Sequence, residues 1–162
     1  MKTILILRHA KSDWNHPGLD DFERPLNKRG KAEAPLVGQW LRAENLIPDR
    51  ILCSDAKRAR STAKRVIEAS GFTGEISHHS DLYLAMPEVY IHHQKKLPDS
   101  VACAMLIGHN PGLEILIGEL SGKTAILPTA AVAVLQLPIT QWEELKPDGA
   151  ATLLRLWHPE TT

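Results

Sequence analysis

The chain lacks most of the features that place a protein in a specialised class. Two cysteines in 162 residues are too few for a disulfide-built scaffold. Cys53 and Cys103 both lie inside apolar runs; a disulfide is open, but buried, inert thiols fit those runs better. Neither sign of charge is in excess, with Lys+Arg and Asp+Glu at 19 each, so the basic footprint of a general nucleic-acid binder is missing. No apolar run approaches the roughly 20 residues that span a bilayer. No repeat or low-complexity segment breaks the chain. Met1-Lys2 leads directly into a strand-like run, without the apolar length or small-residue cleavage site of a signal peptide. The expectation is a cytoplasmic monomer with no nucleic-acid or membrane partner.

What is present is an alternation of short apolar runs with longer amphipathic ones, the pattern of an α/β domain with a mostly parallel sheet. Five or six strands are expected, at 2–7, 50–54, 75–78, 101–107, 131–137 and 152–157. The continuous apolar character of Ile4–Leu7, Ala102–Ile107 and Val132–Leu137 suits strands covered on both faces, hence a three-layer α/β/α sandwich over residues 1–162. Asn27 can cap a helix to about Glu44, with Ala34, Val37, Trp40 and Leu41 on one buried face. Asp55 or Ser54 can cap a second at 56–69, closed by Gly71; others are expected at 87–96 and 111–120, with Pro111 in the first turn of the last. Residues 12–25, rich in Asp, Pro and Gly, form a long loop straight after the first strand, a position that usually carries function.

Three segments carry chemistry. Arg8-His9-Ala10 leaves the end of the first strand. A histidine nucleophile needs one ring nitrogen free to attack phosphorus and the other held by a hydrogen bond. A neighbouring arginine offers paired donors for phosphoryl oxygens, and a small Ala10 lets the substrate approach. Arg58 falls in the first turn of the second helix, where exposed backbone N–H groups already favour an anion, and Thr62 lies one turn on. Lys57, Arg60, Lys64 and Arg65 read instead as a solvated basic face. In Gly108-His109-Asn110-Pro111-Gly112 the bracketing glycines allow a tight turn that projects His109 into a cleft as a positive donor. Each segment has an ordinary alternative: an incidental Arg-His pair, a surface helix, a histidine satisfied by backbone.

Taken together the segments resemble the histidine phosphatase superfamily, which includes the cofactor-dependent phosphoglycerate mutases. The family's Arg-His-Gly, then Glu-Thr/Ser-x-Trp-Asn, is similar to Arg8-His9-Ala10 followed by Lys11-Ser12-Asp13-Trp14-Asn15. Its Ser-x-x-x-Arg-Ala-x-x-Thr-Ala pattern is matched by Ser54, Arg58, Ala59, Thr62 and Ala63, and its second Gly-His by Gly108-His109. Glu23-Arg24-Pro25-Leu26, with Arg29-Gly30 and Ala32, resembles the family's lead into its first helix. The resemblance implies a phosphoglycerate mutase-like fold and a nucleophilic His9 that becomes phosphohistidine. It implies that Arg8, Arg58 and His109 clamp the transferring group, with Ser12 and Asn15 as polar groups of the pocket. It implies no cofactor and no metal, because cationic side chains neutralise the phosphoryl oxygens.

Departures from the pattern bear on the substrate. Where larger members carry a general acid, this chain reads Asp81-Leu82-Tyr83-Leu84-Ala85-Met86-Pro87-Glu88, with Tyr83 near the acid's place. Asp81, Glu88 and Asp13 are the candidate proton donors. An imidazole leaves phosphorus more easily than an alkoxide does, so a short chain without a clear acid resembles the SixA-type phosphohistidine phosphatases. Residues 128–132 and Trp142-Glu143-Glu144-Leu145 resemble that subgroup too. The expected function is dephosphorylation of phosphohistidine on a protein. The alternatives are a phosphomonoesterase of a small phosphorylated metabolite and a non-catalytic phosphate-binding module.

Two features remain outside this reading. His78-His79 and His92-His93 are not expected to bind metal, since sequence neighbours on a strand point apart and no Cys or carboxylate frame is evident. Among the tryptophans, Trp40 and Trp157 are expected in the core and Trp142 against a loop; Trp14 is left between core and cleft.

Overall fold

A computed structural model describes residues 1–160 as one six-stranded sheet carrying helices on both faces. The strands are β1 (Lys2–Arg8), β2 (Arg50–Ser54), β3 (Glu75–His79), β4 (Cys103–Gly108), β5 (Val132–Leu137) and β6 (Thr152–Trp157). The helices are α1 (Lys28–Ala43), α2 (Lys57–Ser70), α3 (Pro87–Lys95) and α4 (Gly112–Ser121). Sheet order is β3-β2-β4-β1-β5-β6. The four strands β3, β2, β4 and β1 are parallel; β5 runs antiparallel to β1, and β6 antiparallel to β5.

The apolar runs behave as continuous buried strands should. Alternate side chains feed two separate cores, so each run must be apolar at every position. Leu5, Leu7, Ile51, Met105 and Ile107 pack with Ala34, Val37 and Leu41 of α1 and Ala63 and Val66 of α2. Ile4, Ile6, Leu52 and Leu106 pack on the other face with Tyr90 of α3 and Leu113, Leu116 and Ile117 of α4. The expected α/β/α sandwich and mostly parallel sheet are the architecture observed.

Several local expectations need correction. Asn27 does cap α1, its side chain accepting from the Gly30 amide at 2.9 Å. Neither Ser54 nor Asp55 caps α2: Ala56 holds the cap position, Ser54 Oγ accepts the Ala56 amide at 3.2 Å, and Asp55 pairs with Arg60. Pro111 is the cap residue of α4 and lies outside its first turn. Trp142 is fully buried and donates its indole N–H to the Val101 carbonyl at 2.9 Å, so it belongs to the core. Trp40 and Trp157 are only half-buried, stacked on one another with centroids 4.6 Å apart. Cys53 and Cys103 are free thiols whose pKa burial raises to about 12. Lys57, Arg60 and Lys64 are exposed, the solvated face expected of α2. Among the described residues no helix is long and apolar enough to cross a membrane.

This topology positions the site. β1 and β4 are parallel neighbours in register, Arg8 opposite Gly108, so His9 and His109 leave the same edge of the sheet. The His9 amide donates to the Gly108 carbonyl at 3.1 Å, one step beyond the last ladder pair. The carboxyl end of β2, next to β4, brings Ser54 and the start of α2 to that edge. Ligands of open α/β sheets collect at such carboxyl ends.

Candidate active site

His9 is 7% exposed, and its Nδ1 lies 2.7 Å from the Ala10 carbonyl. A carbonyl can only accept, so Nδ1 carries the proton and Nε2 keeps its lone pair. Burial, and then the nearby Arg58, Arg8 and Arg24, depress the His9 pKa to about 4. The ring is therefore neutral at physiological pH, the state a nucleophile requires. Ala10 is fully buried, and its amide donates to Thr62 Oγ1 at 3.0 Å, while that hydroxyl donates to the Arg58 carbonyl at 2.7 Å. One α2 side chain thereby joins the segment holding His9 to the segment holding Arg58.

The His109 ring lies 5.2 Å from that of His9, centroid to centroid. Its Nε2 is 2.7 Å from Ser54 Oγ, a hydroxyl that already accepts the Ala56 amide and so is free to donate. The proton of His109 sits on Nδ1 when that hydroxyl donates and on Nε2 when it accepts. Burial, then His9 and Arg58, push the His109 pKa down to about 3. The ring expected to be positive is thus neutral at physiological pH. Gly108 and Gly112 serve space and not a tight turn: a Cβ at Gly108 would stand 2.2 Å from Tyr90 Oη, and one at Gly112 1.9 Å from the Ala85 carbonyl oxygen. Tyr90 Oη in turn accepts the His109 amide at 3.2 Å.

Arg58 is 3% exposed, as befits a residue in the buried stripe of α2. Its Nη1 donates to the Asp21 carbonyl at 2.6 Å and its Nη2 to the Asp21 carboxylate at 2.9 Å. Arg8 Nη1 donates to the Leu127 carbonyl at 3.2 Å. Leu127 is itself fixed by the Asn110 side-chain amide at 2.9 Å and by its own N–H to Glu114 at 2.7 Å. Three buried nitrogens around His9 make no hydrogen bond within the protein: Nε of Arg8, Nε of Arg58 and Nδ1 of His109; Nε of Arg50, at the start of β2, is unpartnered as well. Buried polar groups ordinarily find partners, and the grouping of the first three around one neutral histidine suits an oxyanion.

The remaining sequence candidates fall outside this clamp. Ser12 is buried but serves Arg24, whose Nη1 donates to it at 2.8 Å. Asn15 is exposed, with its amide turned to Asp13 Oδ1 at 2.7 Å. Asp13 also pairs with His16 at 3.3 Å, Asp81 faces His93, and Glu88 stands exposed in the first turn of α3. None of the three candidate acids is joined to the clamp. Trp14 is 71% exposed and lies over Arg24, 3.4 Å from ring centroid to guanidinium carbon, so of the two readings left open the core is excluded.

Asp21, Arg24 and Tyr83 were not singled out as site residues, yet they complete the pocket wall. Asp21 accepts from Arg58, from Arg24 Nε at 2.9 Å and from the Tyr83 hydroxyl. Partial burial alone would raise the Asp21 pKa, but the bonds from Tyr83, Arg24 and Arg58 outweigh it and hold the carboxylate well below its usual range. Partial burial, and then Asp21, raise the Tyr83 pKa. A carboxylate pinned by two arginines is a poor proton donor. The signal that could have found Arg24 was its place in the matched Glu23-Arg24-Pro25-Leu26 segment; Asp21 had none.

The comparisons with known proteins agree with this geometry. The model of the histidine phosphatase superfamily (branch 1) matches residues 4–83. An uncharacterized protein of Mycobacterium tuberculosis is 35% identical over 156 residues, 90% of this chain and 95% of that one. A chloroplastic protein of Arabidopsis thaliana is 35% identical over 153 residues, 88% of this chain and 70% of that one. The crystal structure of a protein assigned as the phosphohistidine phosphatase SixA from Agrobacterium tumefaciens superposes with a TM-score of 0.83 at 30% identity, covering 98% of both chains. The protein histidine phosphatase SixA in complex with tungstate shares the fold, with a TM-score of 0.83 at 24% identity over 96% of each chain. With the His9–His109 clamp at the carboxyl edge of the sheet, these matches establish that the chain belongs to the histidine phosphatase superfamily, with SixA-like structural neighbours.

Proposed function

We propose that this chain is one catalytic unit that dephosphorylates phosphohistidine displayed on a protein, through a phosphohistidine intermediate on His9. The observation that carries the reading is the set of three unpartnered buried nitrogens, on Arg8, Arg58 and His109, around a neutral imidazole with Nδ1 protonated. In the first step the lone pair of His9 Nε2 attacks phosphorus. The phosphorus–nitrogen bond to the substrate imidazole breaks, and that imidazole leaves with a proton taken from solvent. The three groups bind the equatorial oxygens as charge builds on them. In the second step water attacks the phosphoryl group on His9, releasing inorganic phosphate and restoring Nε2.

Two further observations favour an imidazole leaving group on a macromolecule. The carboxylate nearest the clamp, Asp21, is held ionised, which suits a leaving group that needs little acid catalysis. Exposed apolar side chains stand on or next in sequence to residues of the pocket: Trp14 over Arg24, Leu84 after Tyr83, and Ile126, 81% exposed, before Leu127. Exposed apolar residues of this kind suit contact with a protein surface better than with a small metabolite.

Rapid quenching during turnover of a phosphohistidine carrier protein, followed by mass spectrometry under alkaline conditions, should place phosphate on His9. Parallel assays with sugar phosphates should give far slower turnover. Faster hydrolysis of the sugar phosphates would replace this reading with a phosphomonoesterase, and binding of phosphate without any turnover would replace it with a binding module.

A further inference from the structure

The two histidine pairs set aside in the sequence meet in the fold. β3, an edge strand, ends in His79, and a 3-10 turn, Ser80–Leu82, follows it. α3 packs back so that the His93 ring lies 4.2 Å from the His79 ring, centroid to centroid. Asp81, in the turn, places both carboxylate oxygens 2.9 Å from His93 Nε2. The carboxylate frame judged missing is therefore present, because the turn carries Asp81 back toward α3. One ligand atom from each of His79, Asp81 and His93 lies within 4.8 Å of the others.

We infer that His79, Asp81 and His93 form a binding site for a divalent transition-metal ion of the zinc class. Zinc takes imidazole nitrogen and carboxylate oxygen at about 2.0–2.2 Å, which in a tetrahedron sets the donors about 3.3 Å apart. The observed spacing brackets that value, so small side-chain rotations close the site. The His79 ring is already held, its Nε2 lying 2.8 Å from Ser77 Oγ, the kind of outer-shell bond that orients a ligating imidazole. Arg50, a cation that acts on His79, is engaged by Glu75 at 3.6 Å. Three protein ligands leave a fourth position on the solvent side, where the Asp81 side chain is 58% exposed. A bound ion would tie α3 to the turn that leads into Tyr83, away from the phosphoryl chemistry itself.

Calorimetric titration of the full chain with Zn²⁺ alone should show one site per chain, weakened about tenfold or more in both Asp81→Asn and His93→Gln. Side-chain ¹H–¹⁵N spectra of the unaltered protein provide the check that needs no variant: zinc should move the His79 and His93 ring nitrogens and leave those of His9 and His109 in place. Absence of any zinc-dependent change, or changes confined to His9 and His109, would overturn the assignment. Neither measurement depends on turnover, so its failure is distinct from failure of the phosphatase reading.

Discussion

Two pairs of histidines face each other in this molecule, and they are built alike. His9 and His109 come together from the ends of β1 and β4, with rings 5.2 Å apart. His79 and His93 come together from β3 and α3, with rings 4.2 Å apart. Their third partners differ. The first pair is buried among Arg8, Arg24 and Arg58, all of which lower the His9 pKa, and the Nε groups of Arg8 and Arg58 are left unpartnered. The second is half-exposed and faces a carboxylate. Surrounding guanidinium groups make a histidine pair a receptor for anions, whereas a carboxylate makes it a receptor for cations. Ring proximity alone specifies neither.

The strongest way to break the contrast is to remove the nucleophile. His9→Ala should lower turnover about 1,000-fold or more while leaving phosphate binding measurable. Steady-state kinetics with phosphate inhibition checks both parts; near-normal rates in the variant would refute the covalent mechanism. Removing the charge that distinguishes the pairs is the next test. Arg58→Ala should cost about 100-fold or more in kcat, since it deletes a donor aimed at the developing oxyanion. A change confined to KM would show that Arg58 acts only in binding.

Acid sharpens the same contrast. His9 and His109 have folded-state pKa values depressed from 6.5 to about 4 and about 3, so the unfolded chain binds more protons than the native one. Their contribution to stability is complete above about pH 6.5 and is lost as pH falls toward 4 and then 3. Thermal melts across that window should show Tm falling with acid, with a shallower slope in His109→Gln. An equal slope would place the acid sensitivity elsewhere.

The smallest effect concerns Asp21, the carboxylate that pairs with Arg58 and Arg24. Asp21→Asn keeps the shape and removes a negative charge close to Arg58, so inorganic phosphate should bind about fivefold more tightly. Inhibition constants measure it directly. Weaker binding would mean that Asp21 matters chiefly by holding Arg58 and Arg24 in position.

Much of this site was legible because its signals are local. Arg8-His9 and Gly108-His109 each follow an apolar run, and parallel strands of one sheet deliver their carboxyl ends to one edge. The three inner strands β1, β4 and β5 likewise follow from apolar runs that are buried on both faces, whereas the edge strands β3 and β6 are largely exposed and mixed in character. Trp142 was misjudged because an indole in a short turn segment looks peripheral until its N–H finds the Val101 carbonyl, 41 positions away. The glycines flanking His109 were credited with turning the chain, whereas their function is to admit Tyr90 and the Ala85 carbonyl.

By itself, then, the sequence determined the sandwich and the family, and it pointed to Arg8, His9, Arg58 and His109, because each follows a run or opens the element after one. Only the tertiary structure decided what surrounds them. Asp21 joins Arg58 across 37 positions and Tyr83 across 62, separations that no local spacing encodes. His93 meets Asp81 across 12, through a turn whose direction is set by packing against α3. Charge at a site depends on which long-range partners arrive, and that is a property of the folded chain.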